Sequence, residues 1–125
     1  MNDKTCPFCG VPASEIVLED TQCYARWDKF PVTPGHMLII PKRHVAGYFE
    51  ITTEEREALW NMVQKAKELL EGLHHPEAYN IGINVGEQAG QTIPHCHIHL
   101  IPRRPGDMKD PRGGVRGVIP EKRKY

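Results

Sequence analysis

The stretch His95-Cys96-His97-Ile98-His99-Leu100-Ile101 decides how this chain is read. Its three histidines alternate, and apolar residues stand between and after them. A β-strand sends successive side chains to opposite faces. The run therefore predicts a strand with His95, His97 and His99 in a row on one face and Cys96, Ile98 and Leu100 turned into a core. Neighbours in such a row lie roughly 6.5–7 Å apart. That spacing is too wide for hydrogen bonds between adjacent rings, but close enough for all three to surround one phosphate or one metal ion. A helix would scatter the rings. Pro94 and Pro102 bracket the run, as prolines at strand ends do. The chain has 7 histidines in 125 residues, so this alternation is a poor fit to a solvent-facing strand that happens to be rich in histidine.

Upstream, residues 86–92 form a polar, glycine-bearing loop that feeds directly into the histidine run. It can offer backbone N–H groups and the side chains of Gln91 and Thr92 to an anion. Residues 79–85 read as a strand before it. Residues 52–73 predict the one clear helix: Thr52 and Glu55 fit a capping box, and Leu59, Met62, Val63, Ala66, Leu69, Leu70 and Leu73 recur at helical spacing. Gly72 and His74-His75-Pro76 stop it, and the two histidines suit its negative end. Residues 36–40, ended by Pro41, read as a buried strand. His36 enters it directly after Gly35, and His44 follows just past it. Residues 15–18 and 21–27 predict a hairpin turned near Glu19 and Asp20, and a Pro- and Gly-punctuated loop covers 28–35.

Cys6-Pro7-Phe8-Cys9-Gly10 forms a knuckle that can present two sulfurs to one zinc ion. On its own this half-site is also compatible with a redox pair, although no apolar strand precedes it. Cys23 and Cys96 read as buried thiols. The whole chain suits one domain over 1–125, with a knuckle at 1–10 and a tail at 103–125 rich in Pro, Gly, Lys and Arg. Lys plus Arg and Asp plus Glu are both 16, which gives no basic field for bulk nucleic-acid binding. No run is long and apolar enough for a membrane span, and the polar start predicts a cytoplasmic location without a secretory signal.

With the triad in place, the sequence resembles the histidine triad (HIT) family of nucleotidyl hydrolases and transferases. Pro31-Val32-Thr33-Pro34-Gly35-His36-Met37-Leu38-Ile39-Ile40-Pro41 is similar to that family's nucleotide-binding strand and the loop before it. Ala89-Gly90-Gln91-Thr92 and Pro102-Arg103-Arg104-Pro105-Gly106-Asp107 resemble the diadenosine-polyphosphate-hydrolase branch, which includes the fragile histidine triad protein. The resemblance spans roughly residues 6–107. It implies an α+β fold: an antiparallel sheet of about five strands with one long helix, the sheet continuing across a homodimer.

The resemblance also implies the chemistry. A neutral imidazole is a competent nucleophile toward phosphorus near pH 7. It places that role on His97, which forms a nucleotidyl-histidine when the α-phosphorus of a dinucleoside polyphosphate or nucleoside phosphoramidate is attacked. His99 and His36 line the α-phosphate, Gln91 orients the leaving or attacking oxygen, and Thr92 contacts phosphate. Asp28 binds the ribose hydroxyls, and Asn84 touches the purine nucleotide substrate. Zinc-containing relatives imply a structural Zn²⁺ held by Cys6, Cys9, His44 and His95, while Mg²⁺ at most accompanies a polyphosphate. Two other readings stand beside this one. The chain is an adaptor that binds nucleotide with weak catalysis, or His95, His97 and His99 themselves hold a metal ion.

Overall fold

A computed structural model describes residues 4–125. Met1–Asp3, the start of the expected 1–10 knuckle, lie outside the described residues. The helix α1 (Thr53–His74) follows the sequence closely. Thr52 caps it: its hydroxyl accepts the Glu55 N–H at 3.0 Å, and the Glu55 carboxylate accepts the Thr52 N–H at 2.8 Å. Glu55 is a buried charge, and the Arg43 guanidinium closes a two-pronged ion pair on it at 2.8 and 2.9 Å. The helix runs through Gly72 and ends where His75 turns left-handed at φ 49°, ahead of Pro76.

Five strands form one antiparallel sheet: β1 (Leu18–Glu19), β2 (Cys23–Trp27), β3 (Met37–Pro41), β4 (Ala78–Gly82) and β5 (Ile98–Arg103), in the order β1-β2-β3-β5-β4. The expected 15–18 strand is shortened, because residues 13–15 form a 3₁₀ turn and only Leu18 and Glu19 pair with β2. Asp20 turns this hairpin by accepting the N–H groups of Gln22 and Cys23 at 2.8 Å. β4 stops at Gly82, short of the expected residue 85.

Alternation divides the sheet into two faces. Cys23, Ala25, Met37, Ile39, Ile98 and Leu100 pack against Leu59, Met62, Val63, Ala66 and Leu70 of α1. Burying such aliphatic side chains contributes roughly 1.5–3 kcal/mol each before the entropy of ordering is counted. The opposite face carries Tyr24, Leu38 and Ile40, which cluster with Cys6 and Phe8 of the N-terminal knuckle. It also carries Arg26, His36 and His99.

The histidine run departs from expectation at both ends. Strand β5 begins at Ile98, so His95 and His97 precede the ladder. Pairing with β3 ends at Ile39–Ile98, and His95 and Cys96 give their N–H groups to Ile93 and Val45 instead. At the other end the strand passes through Pro102. That residue lies opposite Tyr79 of β4 and beyond the pairs with β3, so a position without an N–H is tolerated there. The tail folds back in 3₁₀ turns (Gly114–Val118 and Pro120–Lys122), with Gly114 against Asn80 of β4.

Candidate active site and metal centre

A cavity of about 460 Å³ opens on the helix-free face of the sheet. Asp28, His36, Asn84, Thr92, His97 and His99 line it, together with Pro7 and Phe8 of the knuckle. A larger cavity of about 640 Å³ lies near Arg103 and Arg104, at the far end of β5. It contains none of the residues expected to act, so size alone does not mark the site.

The hydrogen-bond partners fix the tautomer of each ring in the row. The Val32 N–H can only donate, so His36 Nδ1, 3.1 Å away, accepts and the His36 proton sits on Nε2. That N–H faces His99 Nδ1 at 2.9 Å and Asp28 Oδ2 at 3.3 Å. His99 therefore accepts on Nδ1 and carries its own proton on Nε2. The His97 Nδ1–H donates to the main-chain oxygen of His95 at 2.8 Å, which leaves a lone pair on Nε2. The His97 and His99 ring centroids lie 5.1 Å apart, and the Phe8 ring stands edge-on to His97 at 5.0 Å.

All three rings are held neutral at pH 7. Burial lowers the His36 and His97 pKa values, although the Asp28 charge opposes this in both. Burial also drives His99 down, to about 4, with the cationic forms of His97 and His36 adding to the effect. The site thus offers an unprotonated nucleophile beside the N–H that His99 carries on Nε2.

His95 belongs to a different group. Its Nε2–H donates to the Pro41 carbonyl at 2.7 Å, so the lone pair on Nδ1 points the other way. There it meets Cys6 Sγ at 3.3 Å, Cys9 Sγ at 3.5 Å and His44 Nδ1 at 3.2 Å. Cys9 Sγ lies 3.3 Å from His44 Nδ1. A zinc tetrahedron with ordinary Zn–N and Zn–S lengths has edges of about 3.3 Å between nitrogens and about 3.6 Å between nitrogen and sulfur. The four donors fit that ion in kind, number and spacing. Asp28, His36 and His99 also converge, but the proton on His36 Nε2 occupies the position a metal would need. The row of His95, His97 and His99 forms no such group among the described residues.

Gln91 is the expected site residue that the structure does not bring to the cavity wall. Its Oε1 accepts the Gly86 N–H, and its amide donates to Ala46 and Ile93 carbonyls at 2.7 and 3.0 Å. The side chain is spent on shaping the 86–93 loop that presents Thr92. Asp28 keeps one oxygen on the Phe30 N–H at 2.8 Å, with the other toward His36. Sequence reasoning missed Phe8 and Arg26. Phe8 sits between the paired cysteines, and that position was the available signal.

A HIT domain sequence model matches residues 10–106. The chain belongs to the HIT family. It is 41% identical over 104 residues to the asymmetrical bis(5'-nucleosyl)-tetraphosphatase of Schizosaccharomyces pombe, covering 82% of this chain and 57% of that protein. It is 37% identical over 95 residues to the bifunctional bis(5'-adenosyl)-triphosphatase/adenylylsulfatase FHIT of Arabidopsis thaliana, covering 76% and 53%. The chain thus spans about half the length of these curated relatives. A Zn-bound histidine triad family protein from Mycobacterium smegmatis superposes with a TM-score of 0.76 at 33% identity, covering 87% of this chain and 82% of that one. The five-stranded antiparallel sheet with one helix is thus the HIT fold, as expected from the sequence.

Proposed function

We propose that this HIT chain is a nucleotidyl hydrolase or transferase acting on dinucleoside polyphosphates or nucleoside phosphoramidates. The observation that carries this reading is the His97 tautomer: the Nδ1–H is held by the His95 carbonyl, which leaves a lone pair on Nε2 of a ring that lines the cavity. Nε2 attacks the α-phosphorus as the bond to the leaving group breaks and the leaving group departs with the electron pair. The His99 Nε2–H stabilises charge on the nonbridging oxygens, and His36, whose own N–H is given to His99 Nδ1, holds that ring in place beside the phosphate. Water then displaces His97, releasing the mononucleotide and restoring the imidazole. Asp28 takes the ribose hydroxyls, Asn84 and Thr92 contact the substrate, and Gln91 acts by holding the loop that carries Thr92. Relatives named for bis(5'-adenosyl) and bis(5'-nucleosyl) substrates support the substrate class.

Cys6, Cys9, His44 and His95 hold a structural zinc ion in this reading, which ties the knuckle to the nucleophile two residues away. The Zn-bound relative supports it. Asp28 is the one carboxylate among the described residues that line the cavity, so Mg²⁺ would come in on the substrate phosphates. A cytoplasmic homodimer fits as well. The edge strand β4 leaves Ile81 exposed beside Val115 and Val118 of the tail, an apolar strip suited to a second copy.

Parallel turnover assays on diadenosine triphosphate, diadenosine tetraphosphate and adenosine phosphoramidate test the proposal. Release of mononucleotide, abolished in His97→Asn, is expected. Undiminished turnover in that variant would defeat the assignment.

A further inference from the structure

Asp28, His36, His97 and His99 meet at one part of the cavity, whose lining also holds Lys29, Asn84 and Thr92. Beside them lies an apolar recess of Phe8, Leu38 and Ile93, and into its wall is set one buried charge, Arg26, only 5% exposed. Its Nε donates to the Trp27 carbonyl at 3.3 Å and its Nη2 to Glu15 Oε1 at 3.0 Å. Nη1 donates to no group among the described residues, although it has two N–H bonds. Lys29 also engages Glu15, at 3.3 Å, and Glu15 does not line the cavity. The cavity therefore meets a guanidinium donor and not its carboxylate partner.

The sheet register gives this donor a position. Arg26 lies opposite Leu38, and Leu38 lies opposite His99. Arg26 and His99 thus stand two strand spacings apart, about 9–10 Å, comparable with the span of one nucleotide. A nucleotide with its phosphate at His99 and its ribose at Asp28 would lay its base over Leu38 with an edge toward Arg26.

We propose that Arg26 reads the base, and that the cavity prefers a 6-oxopurine, guanine or hypoxanthine, over adenine. The inference rests on the nucleotide reading above and deepens it. A guanidinium has donors and no acceptor. Guanine and hypoxanthine present two adjacent acceptors, N7 and O6, that suit it, whereas adenine sets an amino donor beside N7. A matched pair of this kind discriminates by about 5- to 150-fold.

Calorimetric dissociation constants for GMP, IMP and AMP on the intact chain, on Arg26→Leu and on Arg26→Lys test it. GMP and IMP should bind at least about fivefold tighter than AMP. Arg26→Leu should bring the ratio to about one, and Arg26→Lys, lacking the planar fork, should keep only part of it. The 7-deaza analogue of GMP probes the unaltered protein, so the result stands even if Arg26→Leu does not fold; it should bind several-fold more weakly than GMP. A wild-type ratio of one, a preference for AMP, or a ratio that survives in Arg26→Leu would overturn the proposal. Equal weakening of all three bases would too, since Arg26 would then be a base-blind stacking cation. Base-selective binding without turnover removes the hydrolase reading and keeps this one. Turnover without base selectivity does the reverse, and no nucleotide binding removes both.

Discussion

His97 Nδ1 lies 2.8 Å from the main-chain oxygen of His95. A carbonyl oxygen only accepts, so this contact fixes both the tautomer and the aim of the nucleophile. His97→Asn keeps a polar group of similar size but has no imidazole nitrogen to bond phosphorus. We expect kcat/KM to fall about 10⁴-fold or more, with mononucleotide binding changed far less. Rapid quenching under denaturing alkaline conditions, followed by intact-mass measurement, should detect a nucleotidyl adduct in wild type and none in the variant. Turnover within tenfold of wild type would rule out covalent catalysis by His97.

Burial of a neutral imidazole couples the site to pH. His99 titrates near 4 in the folded chain because burial disfavours its cation, against about 6.5 when unfolded. Between those values the unfolded chain binds more protons than the folded one, so stability rises with pH across the window. It is lost as pH falls from about 6.5 toward 4, on the order of 2 kcal/mol from this residue. Urea unfolding of wild type and His99→Asn at pH 6.5 and 4.5 checks this, and the variant should lose less. Both proteins share the Cys6–Cys9–His44–His95 group, so its own acid sensitivity cancels. Equal losses in the two would place the acid sensitivity elsewhere.

How legible the site was depends on which physical rule each residue obeys. The helix was readable to within a residue because the Thr52–Glu55 capping box and the apolar spacing are local signals. The alternation of His95, His97 and His99 was readable, but its ladder was not. Where β5 begins depends on how far β3 extends, and that is a long-range fact. The grouping of Cys6, Cys9, His44 and His95 came from resemblance alone, since nothing local joins residues 89 apart in sequence. Gln91 shows the opposite limit. Residue type suggested a role at the substrate, and the fold gives its amide to the backbone of Gly86, Ala46 and Ile93. Arg26 was invisible because a charge within a strand pattern reads as solvent-facing until the knuckle is seen to cover that face.

The knuckle makes a separable prediction. Wild-type protein should contain one zinc per chain by metal analysis, and Cys6→Ser or Cys9→Ser should lose it. An ion present at a thousand times its dissociation constant adds about 4 kcal/mol to the folded state. Chelation should therefore lower the thermal midpoint by roughly 10–15 °C. Phe8 rides between the two cysteines and its ring stands edge-on to His97, so metal loss should also loosen the nucleophile. Zinc that survives both cysteine changes but departs with His97→Asn would instead assign the ion to the histidine row.

Gly35 ties the placement of His36 to the helix, and two glycine substitutions separate strain from flexibility. Gly35 has φ +89°, and a Cβ there would meet Leu70 Cδ2 at 3.1 Å and His74 Cδ2 at 3.0 Å. Its neighbour His36 makes the contacts to Val32, Asp28 and His99 that set the tautomers of the row. Gly35→Ala should cost about 2–3 kcal/mol from backbone strain and crowding and lower kcat/KM about tenfold by shifting His36. Gly72 lies inside α1, and beyond the helix's own backbone no atom of the described residues comes within 4 Å of its Cβ position. Gly72→Ala should stabilise the chain by about 0.5–1 kcal/mol and leave kcat/KM unchanged. Urea midpoints and steady-state kinetics on both variants make the comparison. If Gly35→Ala weakened folding without touching kcat/KM, His36 would hold its position by other contacts, and the link from the helix end to the phosphate site would not exist.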